Sequence, residues 1–278
     1  MRDYVKKVNR RFSCFSRFVR KGAQVTIFVV LAILIVVSIV GFMFLRSDSN
    51  LANDYSDGRI ISDSVPDYVD ACLSYSLKEA VYFNAFQGGY FFPPSDSLEY
   101  EYLLIPFYWD NGKSGFPSLE TVEEQLGLAV EFGLERCVNG LREFEKKGYD
   151  VSLRDVEDVD VKIRNEGIFV DVKWNLVLEK GGVVEEYEDF SSNMIFNFIE
   201  KYDILNSVNE FQNRTPNDIP LVGISDLAYD NDFIFEIIDM GDRTFVYVFT
   251  FDERAMGDGA QLNYTYVFAG RYNETRLE

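Results

Sequence analysis

Apolar positions recur along this chain in three rhythms, and each rhythm predicts a different kind of element. Between Val25 and Leu45 they dominate a stretch of 21 residues, 16 of them Val, Ile, Leu or Phe, with no charge and no proline. A helix of that length spans about 31 Å, the thickness of a bilayer core. Further on, Val65, Val69, Cys72, Leu73, Leu77, Ala80 and Val81 recur at three and four, as do Leu119, Val122, Leu126, Ala129, Val130, Leu134 and Cys137. Both stretches predict helices with one buried stripe. Pro66 and Asp67 mark the start of the first and Gly88-Gly89 its stop; Ser118 begins the second and Gly140 closes it. A short amphipathic turn over 141–148 follows.

From Val159 the period shortens to two. Val159, Val161 and Ile163 alternate with charges, Asn165-Glu166-Gly167 turns the chain, and Ile168, Val170, Val172, Trp174, Leu176 and Leu178 resume the alternation. Gly181-Gly182 turns it again into VVEEYEDF, which predicts a three-stranded antiparallel meander with one buried face. A helix is expected from Met194 to Phe211, then strands over 233–239, 244–251 and 262–272. The fold class is therefore α+β: a transmembrane helix, then an extracytoplasmic domain of two or three helices packed on antiparallel β-sheet. The expected divisions are a leader at 1–22, the span at 23–45, a polar linker at 46–62 rich in Ser, Asp and Asn, and the domain at 63–278.

Charge orients this arrangement. Eight basic residues against Asp3 alone precede the span, while the chain as a whole has 27 basic and 46 acidic residues. The remainder thus holds 19 basic and 45 acidic side chains, a net of −26. The positive-inside rule places the N-terminus in the cytoplasm and the acidic domain outside the cell membrane, with Val25 to Leu45 contacting the lipid bilayer. A domain so negative repels nucleic acid phosphates and anionic headgroups, which argues against nucleic acid as a partner.

At the inner edge of the span lies Arg20-Lys21-Gly22-Ala23-Gln24-Val25-Thr26. It resembles the class III signal of archaeal type IV pilin-like proteins, and that resemblance implies peptidase cleavage between Gly22 and Ala23. The alternative is ordinary helix-flank chemistry. Two departures weaken a filament subunit: many pilins have Glu where this chain has Ile27, and the pilin stem is replaced here by the polar linker. Pro66-Asp67-Tyr68-Val69-x-x-Cys72, Gln87 to Tyr90, Ile105 to Trp109 and Cys137 together resemble an uncharacterised family of single-pass surface proteins of DPANN-type archaea. That resemblance implies the architecture and brings no activity with it.

The chemistry available is narrow. With no histidine in the chain, Ser-His-Asp and Cys-His systems and imidazole zinc sites are excluded. No phosphate-binding glycine loop is present. No catalytic residues, metal ligands or cofactor are expected, and the chain reads as a non-enzyme. Cys72 and Cys137 form an even pair on the exterior side, Cys14 lying in the leader, so a disulfide between the two helices is expected, with two buried thiols as the alternative. Asp230-Asn231-Asp232 and Asn53 to Gly58 weakly suggest calcium loops, with solvated acidic loops as the default. The aromatic stretch holding Tyr90, Tyr100, Tyr102, Tyr108 and Trp109 is either a lid on the core or a binding surface for a glycan or protein. Sequons at Asn213, Asn263 and Asn273 are open to glycosylation. The leading functional expectation is a membrane-anchored surface protein with a structural or interaction role. The alternatives are a pilin-like subunit processed after Gly22 and an extracytoplasmic sensor or solute- or glycan-binding module.

Overall fold

The computed structural model describes residues 64–254 and 261–273. The chain divides into two units, Met1–Ala52 and Asn53–Glu278, and every described residue belongs to the second. The predicted leader, the Gly22-Ala23 junction, the span Val25 to Leu45 and the linker lie outside the described residues. Among the described residues no helix is long and apolar enough to cross a membrane.

The domain is α+β. Helix α1 (Val65–Phe86) starts where the Ser64 hydroxyl accepts the Asp67 backbone N–H, with Pro66 in the first turn. It ends at Gly88 and Gly89, whose φ of 56° and 79° place them in the left-handed region. A Cβ at Gly88 would lie 2.6 Å from the Pro106 ring, and one at Gly89 2.7 Å from the Tyr266 hydroxyl, so both positions also need glycine for room. Helix α2 (Leu119–Cys137) is capped by Ser118, which accepts from Thr121 N–H. The α-helix stops at Cys137 rather than at Gly140: the chain tightens into a 3₁₀ turn over Val138–Leu141 and passes into the short helix α3 (Arg142–Lys146). The amphipathic turn expected over 141–148 is that helix.

Four brief strands separate the first two helices: β1 (Leu98–Tyr100), β2 (Leu103–Ile105), β3 (Phe107–Asp110) and β4 (Lys113–Ser114). The expected meander follows α3 as β6 (Asp158–Arg164), β7 (Gly167–Lys180) and β8 (Val183–Met194). One further strand, β5 (Asp150–Leu153), pairs with the second half of β7 beside β6. The alternation sets the faces: Val161 stands opposite Val170 and Ile163 opposite Ile168, and these side chains with Val172, Trp174, Leu176 and Leu178 are buried. The free edge of β6 is occupied by α2, whose Glu123 carboxylate accepts the Ile163 N–H at 2.7 Å. Lys162 bridges that carboxylate to Asp160, at 3.7 and 2.8 Å.

The helix expected from Met194 starts later, as α4 (Phe198–Arg214), because Met194 is still paired with Ile168 in the sheet and Asn197 caps the helix by accepting Glu200 N–H. Helix α5 (Leu221–Asp230) follows, then β9 (Phe233–Asp239), β10 (Thr244–Arg254) and β11 (Gln261–Arg271). These strands belong to a second, five-stranded sheet in the order β4-β3-β11-β10-β9. The expectation of a purely antiparallel sheet is corrected here, since β3 runs parallel to β11. Arg271 clamps that pair, meeting both oxygens of Asp110 at 2.8 and 2.9 Å and lying 4.5 Å from the centre of the Phe107 ring.

The inner face of the five-stranded sheet is aromatic. Phe268 stacks with Tyr108, Tyr247 and Phe249 at centroid distances of 4.5, 5.0 and 5.5 Å. The phenols reach partners: the Tyr108 hydroxyl donates to the Gly88 carbonyl at 2.9 Å and meets Tyr266 at 2.8 Å. Tyr247 meets Tyr272, which donates to Gln212 at 2.6 Å. The outer face holds smaller residues, Val246, Val267 and Ala269, which form a second core with Ile105 of the β1–β2 hairpin. Helix α1 packs on α2, on β8 and on β11, and α2 packs on β6. A disulfide joins the two helices, with Cys72 and Cys137 Cα atoms 5.7 Å apart.

Closing a loop across a separation of 65 residues stabilises by about 4 kcal/mol on the chain-entropy account. Replacing both cysteines by alanine is expected to lower the unfolding free energy in denaturant by up to that amount. Non-reducing peptide mapping of the native protein is expected to recover the Cys72–Cys137 peptide pair. Burial raises the pKa of Tyr108, Tyr247 and Tyr266, and pushes Tyr272 up to about 12. A raised pKa means the folded state favours the neutral phenol, so this contribution is complete below the ordinary phenol value near pH 10 and is lost as pH rises through the folded values. An absorbance titration at 295 nm is expected to show a late class of tyrosines that ionises together with loss of tertiary circular dichroism.

Candidate interaction surface

The turn at Gly88-Gly89 sends the chain back across α2, and one side chain fixes what the turn displays. Gln125 of α2 accepts the backbone N–H groups of both Phe91 and Phe92, at 3.0 and 2.8 Å. Two adjacent donors on one amide oxygen hold the loop against the helix, with Phe92 exposed and Phe91 half-buried. Phe91 is the centre of the resulting group. Its ring lies 6.2 Å from Phe83 of α1, 4.6 Å from Phe92 and 5.6 Å from Phe132 of α2. Phe83, Phe92 and Phe132 are 45%, 65% and 49% exposed around a half-buried Phe91 that packs on the core, so the group is a surface rooted in the core. The rings meet edge to face or tilted, with interplanar angles of 66°, 64° and 46°. Such a group offers crevices between rings and no common plane.

Helix geometry places the neighbours of this group. At 100° per residue, Leu128 lies at the middle of the outward face of α2. Phe132, Gln125 and Arg136 fall on one flank, and Glu124 and Glu131 on the other. Arg136 lies 5.6 Å from the Phe132 ring centre. On the opposite flank a groove of about 350 Å³ runs between α2 and the strand-entry segment at 156–159, bordered by Glu124, Glu131, Glu157 and Asp158 with Leu128 at its lip. The outward face of α2 thus joins an aromatic cluster to an acidic groove.

The five aromatic residues read either as a lid on the core or as a binding surface are separated by the fold. Tyr108 and Trp109 are buried in the core, and the Trp109 indole N–H donates to the Pro216 carbonyl at 3.0 Å. At these two positions the structure departs from the binding-surface alternative and agrees with the core-covering one. Tyr90 and Tyr100 are half-buried, and Tyr100 packs beneath the β1–β2 hairpin. Tyr102 is fully exposed at the hairpin tip, beside Glu101 with φ 55°. Of the exposed group, Phe91 and Phe92 belong to the ring-rich stretch at 90–116, whereas Phe83 and Phe132, which complete it, lie outside that stretch. The signal for these two is one phenylalanine on each helix that the buried stripe leaves outward: Phe83 follows Val81 by two, and Phe132 follows Val130 by two.

The remaining candidates stand apart from this surface. Asn213, near the end of α4, Asn263 on β11, and Asn273 are all exposed. Asn273 also donates to the Asn111 carbonyl at 3.2 Å. Asp230 and Asp232 flank the end of α5, where Asn231 donates to the Leu227 carbonyl rather than facing a cation. Among the described residues no group of three or more His, Cys, Asp or Glu side chains is placed to hold a metal ion. No family model, no curated protein and no solved structure matches this chain.

Replacing Gln125 by leucine removes the acceptor of two backbone donors, at a cost of about 1–2 kcal/mol for a partly exposed site. Amide exchange at Phe91 and Phe92 is expected to accelerate while exchange in α1 is unchanged, as read by hydrogen–deuterium exchange mass spectrometry.

Proposed function

We propose that the chain is a membrane-anchored, extracytoplasmic contact protein without catalytic activity, tethered by Val25 to Leu45 and meeting its partner through the Phe83–Phe91–Phe92–Phe132 surface. The observation that carries this reading is a contiguous group of four phenylalanines, three of them about half exposed or more, on an otherwise acidic domain. Exposed apolar patches of this kind on a soluble face mark sites of contact, and the two hydrogen bonds from Gln125 preform the patch so that little ordering remains on binding. The disulfide supports placement of the domain in an oxidising compartment. The absence of a common plane among the rings works against stacking on a pyranose, which leaves a protein as the better partner than a glycan.

The pilin-like reading rests on the Arg20-Lys21-Gly22-Ala23 junction and differs in its consequence for the N-terminus. Under the proposal, protease added to intact cells degrades the domain, the protein fractionates with membranes, and sheared surface filaments lack it. Recovery of the chain in the filament fraction with Ala23 as its first residue would establish the pilin-like subunit instead. A domain protected from protease in intact cells would remove the extracytoplasmic placement altogether.

A further inference from the structure

We infer that the partner bound at this surface is a basic polypeptide segment with an apolar anchor, the anchor seated among Phe91, Phe92 and Phe132 and the Lys or Arg side chains lying in the acidic groove across α2. The inference rests on the contact reading above and adds the chemistry of the partner. The two halves of the site share one helix face, with Leu128 between them, so one ligand crossing α2 touches both. The aromatic half is apolar and preformed. The groove half carries four carboxylates, Glu124, Glu131, Glu157 and Asp158, and no Lys or Arg among its lining residues. Among the surrounding cations, Lys162 pairs with Asp160 and Glu123, Arg136 lies over Phe132 on the far flank, and Lys173 stands opposite Asp158 across the β6–β7 pair, so one cation borders the groove at its strand end.

Charge complementarity selects among occupants. Nucleic acid and an anionic lipid surface bring the sign the groove already has. A second copy of the domain brings 19 basic against 45 acidic side chains to a surface of its own sign. A neutral apolar partner would satisfy the rings and leave four carboxylates partly desolvated beside it. A basic segment with an apolar side chain satisfies both. Geometry sets the spacing. The two halves are separated by the width of one helix, about 10 Å, which an extended chain covers in about three residues at 3.3 Å each. The recognised pattern is therefore a Leu or Phe with a Lys or Arg pair about three residues away.

The test uses the full chain in nanodiscs of zwitterionic phosphatidylcholine and fluorescein-labelled synthetic peptides, read by anisotropy against empty nanodiscs. The matched peptide carries a Leu-Phe pair three residues from a Lys-Arg pair. One control replaces the basic pair by glutamates, a second replaces the apolar pair by serines, and a third keeps the composition with the two pairs adjacent. The matched peptide is expected to bind at least tenfold more tightly than each control. Phe132→Ser is expected to weaken it at least tenfold, and Glu124→Gln with Glu131→Gln at least fivefold; both sites are solvent-facing, and Leu128→Ser provides a second apolar variant. Loss with Phe132→Ser but full binding by the Glu→Gln variant overturns the basic partner and leaves the aromatic contact surface standing. Binding unchanged in every variant shows diffuse attraction to an acidic protein and overturns the site. Failure of the matched peptide to outbind its controls overturns the inference, while the protease and filament measurements judge the anchored-protein reading separately.

Discussion

Helix α1 has three neighbours at once, and that single constraint organises the domain. It lies against α2, β8 and β11, so a single buried stripe is not enough. Tyr68, Val69, Cys72, Leu73, Leu77, Ala80, Val81 and Ala85 are all buried, and they cover well over half of its circumference. Because the same helix serves both sheets, their cores merge into one cluster that runs from Val161 and Trp174 on one side to Phe249 and Tyr266 on the other. The small side chains allow this sharing. Gly133 of α2 comes so near to Ser76 that a Cβ there would lie 3.0 Å from it, and the disulfide then pins the two helices at the lower end of that close approach.

The elements with a repeating pattern were legible in the residues, and those without one were not. The alternation of Val159 to Leu178 is long enough to specify both strands and their buried face, and Cys72 with Cys137 could be paired because the third cysteine lies on the far side of the predicted span. The strands β1 to β4 have two to four residues each, too few to show a period. The parallel pairing of β3 with β11 joins Phe107 to Ala269, a contact between distant segments that no local window contains. Met194 misled for the opposite reason. Its spacing fits the helix that follows, but Ile168 pairs with it across the sheet, and the tertiary contact overrides the periodic one.

The aromatic residues show the same limit in sharper form. A ring-rich stretch announces that rings will be used and does not say where each will go. Tyr108 goes inward because Phe268 and the Gly88 carbonyl lie where its ring and hydroxyl can reach them. The Gln125 oxygen accepts the backbone N–H groups of Phe91 and Phe92 and holds both beside α2, where the Phe91 ring packs partly onto the core and against Phe132 while Phe92 is left exposed. Both outcomes depend on partners at least 20 positions away, supplied by the assembled fold. The proposed contact surface is thus a product of α2 as much as of the loop that carries its rings.

Glu123 has a consequence beyond the sheet it touches. An exposed strand edge is a template on which another chain can add a strand, and proteins held at high density on a surface meet copies of themselves constantly. By accepting the Ile163 N–H from outside, with Lys162 bridging it to Asp160, this carboxylate occupies a donor that an incoming strand would need. Along the opposite border β8 presents Glu185, Glu186, Glu188 and Asp189, whose repulsion deters a like strand. At β6 and at β8, then, both borders carry features that work against the addition of a like strand.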